Sequence, residues 1–446
     1  MRTRYSFNIH RSGDRMAVIK GYNKDVWSSE IYTSDNRYGR YQSHGSVHVM
    51  PYGKPANWGH TQAGWDWNRN PGTTTLHLPV NELESPKQST VMVRSIEGIS
   101  GSTSLLNRYG LFSFNHVEHA EGGLTGFDDT FRARKYVMAS GDELYLVGNN
   151  ITSNSPDVET TLFQISQRSG ASININGKTI TAENYTGSLR KGQWIIDDNG
   201  VGYYLVDGPS LQISRGEQES RHNKTKAITH GNFSTAWLPH GDRPVNEAYE
   251  YVMVMNATPT KMIAVKTSMD NGEYFRTLQS NVNKQVLFSV KDNLYGYTAY
   301  SDKGVSYAQG PLRFVNNTAV TLVQEHQNRL EVSISSPELY LNDTVAATPA
   351  DYRLEFAGEW VLATPSEAIS LSAAGGKTVI DISSTFGMAS TFILCKPKTD
   401  CKVNKPIIPE PDTTPDLDIS SSSGGSLNIL TLIALMNFGL RRRPYN

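Results

Sequence analysis

The stretches SININGKTI (Ser172–Ile180) and QWIIDDNGVGYYLV (Gln193–Val206) decide the fold class. Each contains short apolar or alternating segments, and turn-forming residues interrupt them. Asn176-Gly177 predicts a tight two-residue hairpin turn, because both residues tolerate the positive φ angles that such a turn requires. The two stretches therefore predict antiparallel strands joined by short turns.

The same pattern recurs along most of the chain, with Gly, Asn-Gly, Asp-Gly or Pro between the strand-like segments. It predicts an all-β protein with a large antiparallel β-sandwich at residues 1–284 and a smaller β-sandwich at 285–398. A short helix is predicted within Thr260–Gln279. The clearest further strand segments are MAVIKGY (16–22), SVHVMPY (46–52), TTTLHLPV (73–80), STVMVRSI (89–96), GLFSFNHV (110–117), RKYVMA (134–139), ELYLVGNNI (143–151), VETTLFQIS (158–166), LQISRG (211–216) and YEYVMVMNATP (249–259).

The amino-acid composition agrees with an all-β fold and limits the classes of binding partner. The 446 residues include 37 Gly, 22 Tyr and 7 Trp, which favours a β protein with many turns. The 42 Lys and Arg balance 43 Asp and Glu, so no global basic field argues for nucleic acid as a partner. Aromatic and amide side chains suit a carbohydrate partner, although many β proteins that bind no sugar share this composition.

The segment VWSSEIYTSDNRYGRYQSHG (Val26–Gly45) holds one carboxylate, Glu30, near several cationic, aromatic and imidazole side chains. Such a set is typical of a surface that meets an acidic sugar chain, and equally of an Arg- and Tyr-rich contact between domains. Both interpretations stay open for five candidate substrate-binding residues, namely Arg37, Tyr38, Arg40, Tyr41 and His44.

AGWDWNRNPGTTTLHLP (Ala63–Pro79) is a second candidate binding segment. Arg69 has the geometry to hold a carboxylate or sulfate through two parallel hydrogen bonds, and Trp65 and Trp67 are candidates to flank a sugar. In the alternative, both tryptophans pack inside the sandwich while Asp66 and Arg69 pair across a turn. Composition favours this alternative.

NHVEHAEGG (Asn115–Gly123) suggests metal ligands because it brings four such side chains close together in sequence, namely His116, Glu118, His119 and Glu121. Alternation along a strand puts His116 and Glu118 on one face and His119 on the other, so an exposed polar turn is favoured over a metal site. Acidic loops such as FDDTF (Phe127–Phe131) offer oxygen ligands for Ca²⁺. We expect no required cofactor, with Ca²⁺ or another divalent cation left open.

Five long segments carry a family resemblance. They are KGYNKDVWSSEIYTSDNRYGRYQSHG (20–45), GWDWNRNPGTTTLHLP (64–79), DVETTLFQ (157–164), GNFSTAWLPHGDRP (231–244) and AYEYVMVMNATP (248–259). In this order they resemble the C-terminal β-sandwich half of polysaccharide lyase family 8, especially the chondroitin sulfate ABC lyases. The resemblance runs from about residue 5 to residue 395. It implies a super-sandwich of the galactose mutarotase-like kind, followed by the smaller sandwich.

The resemblance also implies a reaction, β-elimination beside a uronic acid of chondroitin sulfate, dermatan sulfate or hyaluronan. The uronate carboxylate is neutralised, a base takes the C5 proton, and an acid protonates the oxygen leaving C4. Resembling enzymes use His, Tyr and Arg from an α/α-toroid domain and a Glu from the first sandwich, which corresponds to Glu30. The other three have no counterpart here, so we expect a missing N-terminal toroid domain as partner and little lyase activity from the chain alone.

The last part of the chain carries two further predictions. Cys395 and Cys401 are predicted to form a disulfide, with two free thiols as the alternative. Residues 399–423 predict a Pro-, Asp- and Ser-rich linker. Residues 424–446 resemble a GlyGly-CTERM sorting signal: Gly424-Gly425, an apolar run, then Arg441–Arg443. We therefore expect a sorting protease as partner and a secreted or cell-surface location in a Gram-negative bacterium, with the export signal missing from this chain.

Two functions from different classes follow. The first is the C-terminal portion of a glycosaminoglycan lyase, supported by Glu30 and the family resemblance. The second is a non-catalytic, surface-displayed module that binds sulfated polysaccharide, supported by the two aromatic and Arg-rich segments and by the sorting tail.

Overall fold

Strands dominate the computed structural model, which describes residues 2–4, 6–51, 58–119, 123–339, 348–384, 387–399 and 401. The predicted linker lies almost wholly outside the described residues, and the sorting tail lies entirely outside them. The all-β prediction is confirmed. The predicted hairpin at Asn176-Gly177 forms, with φ angles of 48° and 91° at these residues and Ile175 paired with Lys178.

The strands of the first part of the chain are short to medium in length, and two helical turns interrupt them. These turns are a 3₁₀ turn (Gly39–Tyr41) and helix α1 (Val80–Leu83). In chain order the strands are β1 (Arg2–Arg4), β2 (Phe7–Ser12), β3 (Arg15–Lys20), β4 (Glu30–Ile31), β5 (Ser46–Met50), β6 (Thr74–Leu76), β7 (Val91–Met92), β8 (Ser100–Leu105), β9 (Tyr109–Val117), β10 (Arg132–Ser140), β11 (Glu143–Thr152), β12 (Val158–Ser166), β13 (Ile173–Ile175), β14 (Lys178–Ile180), β15 (Tyr185–Leu189), β16 (Trp194–Ile196), β17 (Gly202–Asp207), β18 (Leu211–Arg221), β19 (Ile228–Gly241) and β20 (Glu247–Val254).

These strands form a nine-stranded sheet with the order β14-β13-β16-β17-β20-β11-β10-β9-β8. A five-stranded sheet (β15-β18-β19-β12-β6) and a four-stranded sheet (β1-β2-β3-β5) share one apolar core with it. The other face of the nine-stranded sheet packs in a second core with helix α2 (Pro259–Asp270) and with strands of the C-terminal part. Burial on both faces explains why Tyr136–Ala139 reads as a continuous apolar run rather than an alternating one.

The predicted helix forms as α2 (Pro259–Asp270). Thr258 caps its first turn by accepting a hydrogen bond from the Lys261 amide at 3.2 Å, and Pro259 occupies the start, where no amide donor is needed. Met262 and Val265 are its buried residues. The helix therefore packs against the first sandwich through these two side chains and connects it directly to the next sheet.

The C-terminal part is a second sandwich. Its two sheets have the orders β21-β22-β23-β26-β27-β32-β29 and β24-β25-β28-β31-β30, and they enclose a core of their own. Its strands are β21 (Phe275–Asn281), β22 (Lys284–Ser289), β23 (Leu294–Ala299), β24 (Val305–Ser306), β25 (Leu312–Val315), β26 (Ala319–Glu325), β27 (Arg329–Ser335), β28 (Ala350–Ala357), β29 (Val361–Leu362), β30 (Ile369–Ala374), β31 (Lys377–Ser384) and β32 (Ser390–Cys395).

The predicted boundary at 284/285 is placed too late. It cuts the β21–β22 hairpin, in which Phe275 pairs with Ser289. β21 is an edge strand and only Phe275 in it is buried, so it lacks the apolar alternation that marks a strand in sequence. At the other end of this sandwich, Cys395 and Cys401 form a disulfide with their Cα atoms 6.0 Å apart.

Candidate active-site surface

Glu30 lies on a separate two-stranded sheet. β4 pairs with β7 so that Glu30 lies opposite Met92 and Ile31 opposite Val91. Ile31, Val91 and Val93 are buried in a small cluster beneath this pair, whereas Glu30 is exposed. Within the described part of the chain, no hydrogen bond or ion pair engages the Glu30 carboxylate. A fixed backbone therefore presents a carboxylate that is available to an external partner.

The side chains of Lys20 and Asn23 hold the segment leading to Glu30. Asn23 accepts the amides of Asp25 and Val26 at 2.9 and 2.7 Å. The Lys20 ammonium donates to the carbonyls of Trp27 and Ser28 at 3.1 and 3.2 Å and to the Ser43 hydroxyl at 2.5 Å. Burial lowers the pKa of Lys20 to about 8. These contacts fix residues 25–28, just before Glu30.

A series of buried, hydrogen-bonded side chains also holds the segment before Glu30. The His44 Nδ1 lies 3.1 Å from the Ser28 hydroxyl, and its Nε2 lies 3.3 Å from the Tyr22 hydroxyl. The Tyr22 hydroxyl continues to His116 Nδ1 at 2.9 Å. Burial lowers the pKa of His44 well below its ordinary value and that of His116 to about 3, so both imidazoles are neutral at pH 7. They are structural hydrogen-bonding groups here.

The predicted substrate-binding set at 37–44 is buried, which corrects the sequence interpretation. Arg37 donates to Glu84 at 2.7 Å, and Arg40 donates to the Glu82 carbonyl at 2.9 Å. Burial raises the pKa of Glu84, but hydrogen bonds from Lys226 and Arg37 outweigh it and lower the pKa overall. The exposures of the five side chains show no open sugar-facing edge: Arg37 8%, Tyr38 2%, Arg40 2%, Tyr41 0% and His44 2%.

The second candidate segment is also largely internal. Trp65 and Trp67 are 1% and 6% exposed and pack in a cluster with Phe233, as the alternative interpretation predicted. Arg69 does pair with carboxylates, but its main partner is one the sequence did not suggest. It donates to both Glu159 oxygens at 2.9 and 3.1 Å, while Asp66 lies 3.7 Å away. Its guanidinium also lies 3.7 Å over the Trp237 ring.

The predicted exposed polar turn at His116 and Glu118 is wrong. These residues are 1% and 8% exposed, whereas His119 is exposed as the alternation predicted. Burial raises the pKa of Glu118 to about 7, and the Asp128 amide is a hydrogen-bond donor to it at 3.1 Å. Across the described ranges, no three His, Cys, Asp or Glu side chains gather as a metal site.

In the acidic loop that suggested Ca²⁺, the Asp128 carboxylate accepts hydrogen bonds from protein donors. Asp128 accepts from Thr130 through one oxygen, and from Ser153 and the amides of Asn154 and Ser155 through the other. Burial raises its pKa, but these hydrogen bonds outweigh burial and lower the pKa to about 2. The carboxylate of Asp128 therefore organises the turn.

The family model for the super-sandwich domain of polysaccharide lyase family 8 matches residues 5–266. This match covers more than half of the chain. The chain belongs to polysaccharide lyase family 8.

Relatives and solved structures agree with this assignment. The chain is 38% identical over 390 residues to a chondroitin sulfate ABC endolyase of Proteus vulgaris, covering 86% of the chain and 38% of that enzyme. It is 29% identical to a chondroitin sulfate ABC exolyase of the same organism, covering 73% of the chain and 32% of that enzyme. The chain thus spans about a third of each relative's length.

Two solved lyases share the fold. A Paenibacillus xanthan lyase superposes with a TM-score of 0.72 at 18% identity, covering 88% of the chain and 37% of that structure. A Streptomyces coelicolor chondroitin AC lyase gives 0.67 at 16% identity, covering 88% and 48%. The structural similarity to these two lyases confirms the β-sandwich architecture of the chain.

The structure adds two residues to the Glu30 surface that the sequence-based list lacks. Trp27 is 38% exposed, and the Arg94 guanidinium lies 5.5 Å from the centre of its ring. Arg94 lies two residues beyond Met92, which pairs with Glu30. The pairing of this segment with the Glu30 strand joins residues some sixty positions apart, and local sequence carries no signal for it.

Proposed function

We propose that this chain is the sandwich portion of a glycosaminoglycan lyase acting on chondroitin or dermatan sulfate by β-elimination beside a uronic acid. The observation that carries the proposal is the exposed Glu30 carboxylate, which has no partner within the described residues and lies in the segment that resembles the family's catalytic motif. Hyaluronan is a further candidate substrate of the same chemical class.

In the proposed reaction the bond from C5 to hydrogen and the bond from C4 to the leaving oxygen break, and a C4=C5 double bond forms. A base accepts the C5 proton, and an acid delivers a proton to the oxygen. Glu30 is proposed to orient these groups by accepting hydrogen bonds from them. The β4–β7 pair and the Lys20 contacts hold its backbone in place, so little reorganisation is required when the partner groups arrive.

The base, the acid and the group that neutralises the uronate are proposed to come from a toroid domain outside these 446 residues. Residues 424–446 are proposed to direct the protein to the bacterial surface after processing by a sorting protease. Across the described residues, no helix is both long and apolar enough to cross a membrane.

The test is a complementation assay on chondroitin sulfate. The chain is assayed alone and then mixed with a separately expressed toroid domain from a family 8 lyase, following the ultraviolet absorbance of the unsaturated uronate. We expect product only in the mixture, and Glu30→Gln to lower kcat there by about 10²–10³-fold with KM largely unchanged. Glu219→Gln, an exposed carboxylate on β18, is the matched control.

A mixture in which Glu30→Gln turns over as fast as the wild type contradicts the proposed role of Glu30. A second candidate function, a polysaccharide-binding module without catalysis, is favoured by the Trp27–Arg94 pair beside Glu30. It gains support if the chain binds chondroitin sulfate and no mixture yields product.

A further inference from the structure

Arg94 differs from the other partly or fully buried arginines that the structure describes in the first sandwich, because none of its guanidinium nitrogens meets an oxygen acceptor. Arg37, Arg69 and Arg215 each have a carboxylate oxygen at 2.7–2.9 Å. Arg40, Arg132 and Arg134 donate to backbone carbonyl oxygens. For Arg94 the described part of the chain provides no ion pair, and its Nε is buried without a hydrogen-bond partner. Among the described residues, the one hydrogen-bond acceptor of its terminal nitrogens is the Met92 sulfur, 4.0 Å from Nη2, and sulfur is a weak acceptor.

This arrangement leaves a guanidinium with unused donors at a surface. A buried donor without an acceptor gives up its hydrogen bonds to water without replacement, and the cost is larger when the donor is charged. An anionic group arriving from outside removes that cost and gains charge-assisted hydrogen bonds. The local chemistry of Arg94 is therefore that of an anion-binding residue.

Trp27 supplies the second half of such a site. It is one of the large apolar side chains that remain exposed, at 38%. The Lys20 ammonium holds its carbonyl oxygen at 3.1 Å, so its backbone is fixed. An indole face packs on the C–H face of a sugar ring, and a guanidinium beside it meets a charged substituent on that ring. The pair matches an acidic sugar better than a neutral one.

The position of the pair relates it to Glu30. Trp27 precedes Glu30 by three residues, and Arg94 lies two residues past Met92, the residue opposite Glu30. Extended chain spans about 3.3 Å per residue, so the Arg94 backbone lies at most about 7 Å from that pairing point. A polysaccharide that reaches Glu30 therefore passes close to both side chains.

We propose that Trp27 and Arg94 form a subsite for one acidic sugar residue, with Arg94 binding its anionic substituent, a sulfate ester or a uronate carboxylate. The ligand class rests on the proposed function, while the site itself rests on the unpaired guanidinium and the exposed ring. Binding by this subsite requires no catalytic turnover, so the two proposals fail separately.

Binding of the 446-residue chain to size-defined chondroitin sulfate oligosaccharides, measured by titration calorimetry, tests the subsite. We expect Trp27→Ala and Arg94→Ala each to weaken binding at least tenfold. Arg108→Ala is the matched control and should stay within twofold, because Arg108 also lies over an aromatic ring, 5.1 Å from the centre of Tyr109. Arg94→Lys keeps the charge but loses the two-pronged geometry, and should fall between wild type and Arg94→Ala.

Unsulfated chondroitin oligosaccharides distinguish the two anion sources. If Arg94 binds sulfate, Arg94→Ala has no effect with this ligand; if it binds the uronate carboxylate, the loss persists. The subsite is refuted if the wild-type chain does not bind either ligand, if Arg94→Ala binds both as tightly as wild type, or if Arg108→Ala loses as much affinity as Arg94→Ala. Unchanged thermal unfolding of the variants shows that a loss of affinity is not a loss of fold.

Discussion

Replacing Glu118 by Gln should stabilise the first sandwich in a strongly pH-dependent way. Glu118 is 8% exposed, and burial raises its pKa from an ordinary value near 4.5 to about 7. In the unfolded chain the carboxyl ionises near its ordinary value. Between these two pKa values the folded protein binds one proton more than the unfolded chain, so its stability falls as the pH rises.

The size of the effect follows from the shift. A shift of about 2.5 pKa units corresponds to about 3 kcal/mol of unfolding free energy, which the wild type retains below pH 4.5 and has lost above pH 7. Gln keeps the shape and an acceptor for the Asp128 amide but cannot ionise. The stability of Glu118→Gln relative to wild type should therefore increase by about 3 kcal/mol between pH 4.5 and pH 8.

Urea denaturation followed by tryptophan fluorescence measures this difference. Every tryptophan except Trp360 precedes residue 240, so the signal reports chiefly on the first sandwich. Glu219→Gln makes the same chemical change at an exposed site and should show no such trend. A Glu118→Gln difference that stays constant from pH 4.5 to pH 8 would refute the assignment of Glu118 as a carboxyl whose charged form is penalised by burial.

Three further substitutions test the contacts around the site. Glu159→Gln should lower the unfolding free energy by about 3 kcal/mol, because it breaks the two-pronged pair with Arg69 and leaves a mostly buried cation. Urea denaturation measures this loss, and a loss below about 1 kcal/mol contradicts the prediction. Tyr22→Phe removes the hydroxyl between His44 and His116 and should lower the unfolding free energy by about 1–3 kcal/mol in the same assay. An unchanged unfolding free energy would show that this chain of hydrogen bonds is dispensable. Lys20→Met should speed amide hydrogen exchange in peptides covering 26–31, because it removes the donor to the Trp27 and Ser28 carbonyls. Lys24→Met, at an exposed lysine four residues later, is the control and should leave the exchange unchanged. Equal exchange in both variants would show that Lys20 does not hold the segment.

Much of the fold was predictable because it depends on neighbours in sequence. The Asn176-Gly177 turn determines its hairpin within a few residues, and the Thr258-Pro259 start determines where helix α2 begins. The all-β class follows from many such local signals acting together. The start of the second sandwich was missed because β21 is an exposed edge strand, whose pattern differs little from that of a loop.

The candidate site was only partly predictable, since exposure depends on which layers pack over a segment. Sequence identified Glu30 through its resemblance to a family motif, and the structure places it at the surface. The same segment carries Arg40 and His44, which local sequence cannot distinguish from surface residues; they are buried by contacts with residues up to some ninety positions away. Arg94 joined the site only through the β4–β7 pairing. Sequence alone determined the types of side chain available, and long-range packing decided which of them face the solvent, because burial is a property of the assembled layers and not of any one strand.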